Sequence, residues 1–164
     1  LKEMRYQQLE TLMTQVDWKA ADGCTYRIMI QALEKRVGDY FYGAELLNFP
    51  CEELLRIDGL WVKYSVGKFG FSVQKDIYVQ CGGILDGQYH AKALAKFFQA
   101  VGWCKPTEKT YDNVLLMAQE NMLTPYEKIN FSLDGNDGEL PFGDLDDGCG
   151  VSFLASRLVN CSTR

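Results

Sequence analysis

The sequence predicts an all-α fold, a compact single domain of several helices with long irregular loops. Apolar residues recur every three or four positions through most of the chain, which is the spacing of one helix face. Alternation with a period of two occurs only in fragments, so strands are not favoured. A length of 164 residues suffices for one domain with a hydrophobic core and is short for two. We therefore expect residues 1–164 to form one helical domain.

Three helical patterns occupy the N-terminal part of the chain. Residues 4–13 carry an apolar residue at every third position. Asp17 can cap a second helix, which two basic residues followed by Gly38 should close. Pro50 precedes two glutamates, an order that suits the first turn of a third helix ending near Ser65.

The C-terminal part contains four further helical patterns and one long loop. The loop covers residues 124–150, where glycines and acidic residues become frequent after Asp134. The predicted helices are a short one through Val73 and Ile77 to the Gly82-Gly83 pair, and then residues 89–101, 111–120 and 151–161.

Composition and charge argue against a nucleic-acid partner and against a membrane-spanning helix. The net charge is −5 and no block of Lys and Arg occurs, whereas nucleic-acid binding needs a clustered basic face. No run approaches the roughly 18 uninterrupted apolar residues of a membrane-spanning helix, so we expect no transmembrane segment. The chain begins Leu1-Lys2-Glu3 without an initiator methionine or leader, so we expect it to be a domain of a longer protein.

The six cysteines are spread without a C-x-x-C pair, and His90 is the single histidine. A structural metal site normally needs closely spaced Cys and His ligands, so we expect none. A chain of this size can build its own core, so a disulfide framework is not expected either. The prediction is reduced, mostly buried thiols in a cytosolic or stromal compartment.

The acidic segment LDGNDGELPFGDLDDGCG does not match the twelve-residue calcium-loop pattern. Counted from Asp134, the position that needs glycine is Glu139, and the position that needs a bidentate glutamate is Leu145. The template therefore fails. A looser divalent site built from Asp144, Asp146 and Asp147 remains open beside the simpler interpretation of a solvated acidic loop.

The sequence does not predict an enzyme. Nucleophilic catalysis needs a nucleophile with a positioned base, and no such motif, phosphate loop or dinucleotide fingerprint occurs. His90 stands at the predicted start of a helix, where we expect an exposed and inert imidazole.

The aromatic residues are the strongest remaining signal. The chain has 9 Phe, 9 Tyr and 3 Trp, and the stretch LWVKYSVGKFGFSVQ is rich in them. Trp61 and Tyr64 fit the apolar face of a helix. Phe69 and Phe71 flank Gly70 at the entry to the next helix, and one helical stripe cannot place both. Their pattern leaves two interpretations open, core packing and a site for a flat conjugated ligand.

The run NFPCEELLRIDGLWVKYSVGKFGFSVQKDIY, with WKAADGCTYRIMI before it and FSLDGNDGELP after it, closely resembles the tetrapyrrole-binding domain of the "genomes uncoupled" four family. The resemblance covers roughly residues 6–161. It implies a helical domain shaped as a cupped hand, whose concave palm binds porphyrins such as protoporphyrin IX and its magnesium derivative. It also implies a non-catalytic regulatory role in chlorophyll biosynthesis or tetrapyrrole signalling. The closing FLASRLVNC is similar to family members fused to larger proteins, so the resemblance implies that residues 1–164 are the C-terminal part of a longer protein.

The resemblance further implies which residues contact the ligand. The predicted ligand-binding residues are Trp61, Phe69, Phe71, Val73, Ile77, Tyr126, Phe131 and Leu133. The chain departs from the family's G-H-L-P turn, because Glu139 stands where the family has histidine. It also lacks the arginines that follow that turn in free-standing members, since residues 145–150 read LDDGCG. We therefore expect a weak or altered porphyrin affinity.

Partners and location are also implied by the resemblance. It implies a porphyrin ligand, and either a subunit of magnesium chelatase or another domain of the same chain as protein partner. The expected location is the cytoplasm, or the plastid stroma in a eukaryote, with peripheral membrane association left open. The alternative function is a protein-interaction or sensor module that keeps the fold, binds porphyrin weakly or not at all, and uses the acidic loop 134–147.

Overall fold

The computed structural model describes residues 1–143 and 149–162, and within these residues the regular structure is helical. The single extended pairing in this part is an isolated bridge between Cys104 and Leu123. The prediction of an all-α fold is confirmed. The elements are α1 (Lys2–Thr14), α2 (Trp18–Ala32), α3 (Gly43–Leu47), α4 (Cys51–Ser65), α5 (Phe71–Gln80), α6 (Ala91–Val101), α7 (Val114–Gln119), a 3-10 turn (Tyr126–Lys128) and α8 (Cys149–Ser162).

Every predicted helix is present, although the bounds of several differ by two or three residues from the prediction. The second helix ends at Ala32, before the predicted closure at Gly38, because Glu34 takes a left-handed φ of 55°. Helix α3 is not predicted from the sequence, because its five residues are too few to show a periodic apolar stripe. Asp17 caps α2 as predicted, since its Oδ1 accepts a hydrogen bond of 3.1 Å from the Ala20 amide.

None of the helices in the described part combines the length and the apolar character that crossing a bilayer requires.

A buried cluster of three aromatic rings joins α2 to α4. The rings of Trp18 and Trp61 stack with centroids 5.8 Å apart, and Phe69 packs edge-on against both. The Trp61 indole donates a hydrogen bond of 2.9 Å to the Thr25 hydroxyl on α2. Each fully buried ring of this size stabilises the fold by roughly 1.5–3 kcal/mol, so this cluster fixes α2 on α4.

A second aromatic cluster surrounds Trp103, just after α6. Phe97, Phe98 and Phe142 lie edge-on to its ring at centroid distances of 5.4, 5.2 and 5.0 Å. The Trp103 indole donates to the carbonyl oxygen of Glu139 at 2.9 Å. The cluster therefore holds the long loop after α7 against α6.

The Phe69-Gly70-Phe71 turn between α4 and α5 depends on its glycine. Gly70 has a φ of 134°, and a Cβ there would lie 2.8 Å from Asp58 Oδ1 and 2.8 Å from a methyl group of Val62. The same Asp58 oxygen accepts a 2.8 Å hydrogen bond from the Ser72 amide in the first turn of α5. Burial raises the pKa of Asp58, and its hydrogen bonds to Ser72 act in the opposite direction. Only glycine lets α4 approach the turn this closely.

The prediction of reduced cysteines throughout is wrong, because Cys51 and Cys161 form a disulfide. Their Cα atoms are 5.3 Å apart although the residues are 110 positions apart in sequence. Cys51 opens α4 and Cys161 lies near the end of α8, and α8 packs across α3, α4 and α5. Only this tertiary packing brings the two thiols together, so no spacing rule reveals the pair. Cys24 and Cys104 are free and buried, and burial raises the pKa of both thiols.

We expect Gly70→Ala to lower the free energy of unfolding by about 2–4 kcal/mol, because the new Cβ meets α4 in a backbone conformation unfavourable to alanine. Urea denaturation measures the change. Gly59→Ala is the matched control, since it lies inside α4 with nothing within 4 Å of its added Cβ. It should be neutral or should raise stability by up to about 1 kcal/mol. Equal effects of the two substitutions would contradict this account of the turn.

Removing the disulfide with the Cys51→Ala/Cys161→Ala pair should lower the free energy of unfolding by about 2–5 kcal/mol, since the bond closes a long loop in the unfolded chain. Thermal denaturation of the oxidised protein and of the double variant measures the loss. Cys81→Ala, at a free and half-buried cysteine, is the control. Alkylation of Cys51 and Cys161 in the native, unreduced protein would overturn the assignment.

Candidate functional site

One side of α2 faces the long loop that follows α7. One face of this helix carries Lys19 and the residues three, four and seven positions after it, which are Asp22, Gly23 and Tyr26. Three of them, Asp22, Gly23 and Tyr26, line a cavity of about 170 Å³ together with Tyr126 and Gly143. We call Lys19, Asp22, Gly23 and Tyr26 the α2 face.

Three aromatic rings of the long loop lie opposite the α2 face. The ring of Tyr126 lies 5.2 Å from that of Phe131 and 5.7 Å from that of Phe142. Phe142 is buried, Phe131 is half-buried, and Tyr126 is 37% exposed. The Lys19 Nζ stands 5.9 Å from the ring centroids of both Tyr126 and Phe131. We call Tyr126, Phe131 and Phe142 the aromatic patch.

Asp22 ties the aromatic patch to α2. Its carboxylate is only 1% exposed and accepts hydrogen bonds from the amides of Phe142 at 2.7 Å and Gly143 at 3.0 Å. The hydroxyl of Tyr126 donates to its other oxygen at 3.1 Å. A buried carboxylate needs such donors to offset the loss of hydration. Asp22 therefore fixes both the Tyr126 ring and the turn that follows Pro141.

Tyr126 lies between two cavities. The first is the cavity of about 170 Å³ against the α2 face. The second has a volume of about 220 Å³ and is mainly apolar, since it is lined by Phe98, Trp103, Leu123, Thr124, Pro125, Tyr126 and Phe142. An extended ligand could lie across the Tyr126 ring and reach into both.

Glu139 organises the loop that carries Phe131. Its carboxylate is buried and accepts hydrogen bonds from the amides of Asn130 at 2.8 Å and Asn136 at 3.1 Å. Gln74 of α5 reaches the same loop, because its side-chain amide donates to the carbonyl oxygens of Gly138 at 3.0 Å and Pro141 at 2.8 Å. The position of Phe131 is thus set by buried hydrogen bonds rather than by a regular element.

A larger cavity of about 540 Å³ lies on the other side of Pro125. Its lining contains two lysines, two asparagines and two acidic residues but no aromatic ring. This composition does not suit a flat apolar ligand, so the aromatic patch is the better candidate site. The lining residues are Gly102, Cys104, Lys105, Pro106, Thr124, Pro125, Lys128, Asn130, Asp134, Gly135, Asn136 and Glu139.

The sequence profile of the family described as GUN4-like matches residues 1–154. The chain belongs to the GUN4-like family. It is 32% identical over 104 residues to the ycf53 protein of Pyropia yezoensis, a match that covers 62% of this chain and 40% of that protein. It is 34% identical over 101 residues to the "Tetrapyrrole-binding protein, chloroplastic" of Arabidopsis thaliana, covering 59% of this chain and 34% of that protein. The matched region is thus less than half of each of these relatives.

Two solved structures of the GUN4-like family share the fold. The ligand-free structure of Arabidopsis thaliana GUN4 aligns with a TM-score of 0.68 at 24% identity, covering 92% of this chain and 93% of that one. The structure of GUN4 from Chlamydomonas reinhardtii aligns with a TM-score of 0.67 at 22% identity, covering 91% and 86%. At these identities the likeness establishes the fold alone.

The ligand-binding residues predicted from the family resemblance differ in exposure: some are buried in the core and others are accessible. Trp61 and Phe69 are 0% exposed, so in this structure they support α2 from within the core and offer no surface to a ligand. The reason is their mutual packing with Trp18, which the apolar pattern alone did not reveal. Phe71 is 3% exposed and lines only a crevice of about 10 Å³ beside Phe142.

The remaining predicted residues are more accessible. Val73 and Ile77 are half-buried on α5, and Leu133 is 44% exposed. Tyr126 and Phe131 lie together in the aromatic patch. Contact of any of them with a ligand stays a prediction.

Sequence reasoning missed Lys19, Asp22 and Phe142. The helical spacing of Lys19 and Asp22 was readable from the sequence, but nothing in it showed which side of α2 would face a ligand. Phe142 is 120 positions from Asp22, and only the folded loop brings its amide to that carboxylate. Glu139 departs from the family turn in sequence, and its structural role lies in the hydrogen bonds that it accepts from Asn130 and Asn136.

The acidic loop is described only in part. Asp144, Asp146 and Asp147, proposed as a looser divalent site, lie outside the described residues. Within residues 1–143 and 149–162, no group of three or more His, Cys, Asp or Glu could hold a metal ion. In the described part of the loop, Asp137 pairs with Lys68 at 3.1 Å and Glu139 is buried. These two carboxylates are therefore engaged within the chain.

We expect Asp22→Ala to lower the free energy of unfolding by about 3 kcal/mol, because it leaves the buried amide of Phe142 and the half-buried amide of Gly143 without an acceptor. Tyr126→Phe removes the half-buried hydrogen bond to the same carboxylate and should cost about 0.5–1.5 kcal/mol. Urea denaturation of both variants measures the difference. Equal losses, or none for Asp22→Ala, would show that Asp22 does not hold the turn.

Proposed function

We propose that this chain binds a porphyrin, protoporphyrin IX or its magnesium derivative, on the aromatic patch, and that it acts as a regulatory module through binding rather than catalysis. The observation that carries the proposal is the accessible pair of rings, Tyr126 and Phe131, standing between the α2 face and an apolar cavity.

The geometry suits a flat conjugated ligand. Neither cavity beside Tyr126 reaches the roughly 300 Å³ usual for a compact ligand, but a thin macrocycle can lie across the ring and enter both. Offset or edge-on packing between aromatic systems adds about 0.5–1.5 kcal/mol beyond the buried area. The name of the Arabidopsis relative, a tetrapyrrole-binding protein, supports the same ligand class for this chain.

The biological role follows from the family. We propose a role in chlorophyll biosynthesis or tetrapyrrole signalling, with a subunit of magnesium chelatase or another domain of the same chain as the protein partner. Because the match covers 40% of the Pyropia relative and 34% of the Arabidopsis relative, the activity of a whole protein is not carried over from either. A cytoplasmic or stromal location, with or without peripheral membrane association, stays a prediction.

Titration with deuteroporphyrin tests the binding proposal. We expect a red-shifted Soret band and quenched tryptophan emission, because Trp103 lines the apolar cavity. Tyr126→Ala and Phe131→Ala should each weaken binding about threefold to tenfold through loss of ring contact. Tyr126→Phe keeps the ring and should bind nearly as well as the unchanged protein.

Tyr40→Ala provides the control for removal of an exposed tyrosine outside the site, since Tyr40 is 71% exposed and lines none of the cavities described above. It should leave the titration unchanged. No spectral change up to tens of micromolar porphyrin, or unchanged binding by both alanine variants in the patch, would refute the proposal.

A further inference from the structure

Lys19 is placed where a ligand lying on the aromatic patch would meet it. It occupies the first turn of α2, its side chain is exposed, and its Nζ lies 5.9 Å from the centroids of both accessible rings. The other members of the α2 face, Asp22, Gly23 and Tyr26, line the cavity directly beside it. The ammonium group thus borders the surface on which a macrocycle would rest.

The ammonium group of Lys19 has no acidic partner among residues 1–143 and 149–162, because no carboxylate oxygen there lies within the 4.0 Å of an ion pair. Asp22, the carboxylate on the same helix face, already accepts from the amides of Phe142 and Gly143. Within the described part of the chain, Asp22 therefore forms no ion pair with Lys19.

Lys19 does not stabilise α2 through the helix dipole. The first turn of a helix is the positive end of the helix dipole, where a cation is unfavourable and an acidic residue is preferred. Lys19 stands one residue inside the start of α2. A cation held at an unfavourable helix end, beside exposed rings, is a feature that ligand binding would explain.

We propose that Lys19 binds a carboxylate of the tetrapyrrole and thereby orients the macrocycle with its acidic edge toward the start of α2. This inference rests on the porphyrin-binding function proposed above. The rings of Tyr126 and Phe131 supply the apolar contact, and Lys19 supplies an ion pair with a carboxylate, which an esterified or neutral tetrapyrrole cannot form. Lys19 is thus a specificity residue for tetrapyrroles with free carboxylates.

The test compares two probes, deuteroporphyrin and its dimethyl ester, delivered from the same stock solvent and followed by tryptophan quenching. The variants are Lys19→Ala, which removes the charge, and Lys19→Arg, which keeps it. Lys63→Ala is the matched control, because Lys63 also lies over a tyrosine ring, 5.0 Å from the centroid of Tyr64, but near Glu10 of α1 instead of the site.

We expect Lys19→Ala to weaken binding of the dicarboxylate roughly fivefold, the size of a partly exposed ion pair, and to leave the diester unchanged. Added salt should weaken binding of the dicarboxylate to the unchanged protein more than to Lys19→Ala. Lys19→Arg should retain binding, and Lys63→Ala should have no effect on either probe.

The outcomes separate the two proposals. If the unchanged protein binds neither probe, the proposed function fails and this inference fails with it. If it binds the dicarboxylate but Lys19→Ala weakens neither probe, or weakens both equally, porphyrin binding stands and the carboxylate contact is overturned. Circular dichroism of each variant confirms that the fold is retained in the comparison.

Discussion

The carboxylate of Asp22 is the contact on which the site depends. It is buried on α2, and it holds the amides of Phe142 and Gly143 at hydrogen-bond distance while receiving the hydroxyl of Tyr126. A buried charge is costly unless it is fully hydrogen-bonded, so the three donors and the carboxylate require one another. Through this one group, α2 determines where the long loop presents its aromatic rings.

The first aromatic cluster stabilises the packing of α2, whereas the second lies beside the rings that we propose contact the ligand. Trp18, Trp61 and Phe69 have almost no exposed surface, and they make α2 a rigid base. The second cluster, around Trp103, anchors the loop and leaves one side of its apolar contacts open as a cavity. Tyr126 and Phe131 are the accessible extension of this second cluster. A chain rich in aromatic residues can thus keep most of them in the core and expose a few for a ligand.

The helices and the family were predictable from the sequence because both depend on local patterns. Apolar spacing revealed every described helix except the five-residue α3, and a long string around the Phe69-Gly70-Phe71 turn carried the resemblance. Which rings are accessible was not predictable, because Trp61 and Phe69 become buried only when α2 and α4 pack together. For the same reason, the bond between Cys51 and Cys161 and the hydrogen bonds of Asp22 depend on residues more than 100 positions apart.

A crystal structure of the chain with bound deuteroporphyrin would show which rings the macrocycle touches, and it is the sharpest test of the proposed site. We expect a macrocycle packed against Tyr126 and Phe131, next to the α2 face, with Trp61 and Phe69 still enclosed in the core. A macrocycle that displaces the core to contact Trp61 or Phe69, or that lies on α5 without touching Tyr126, would contradict it.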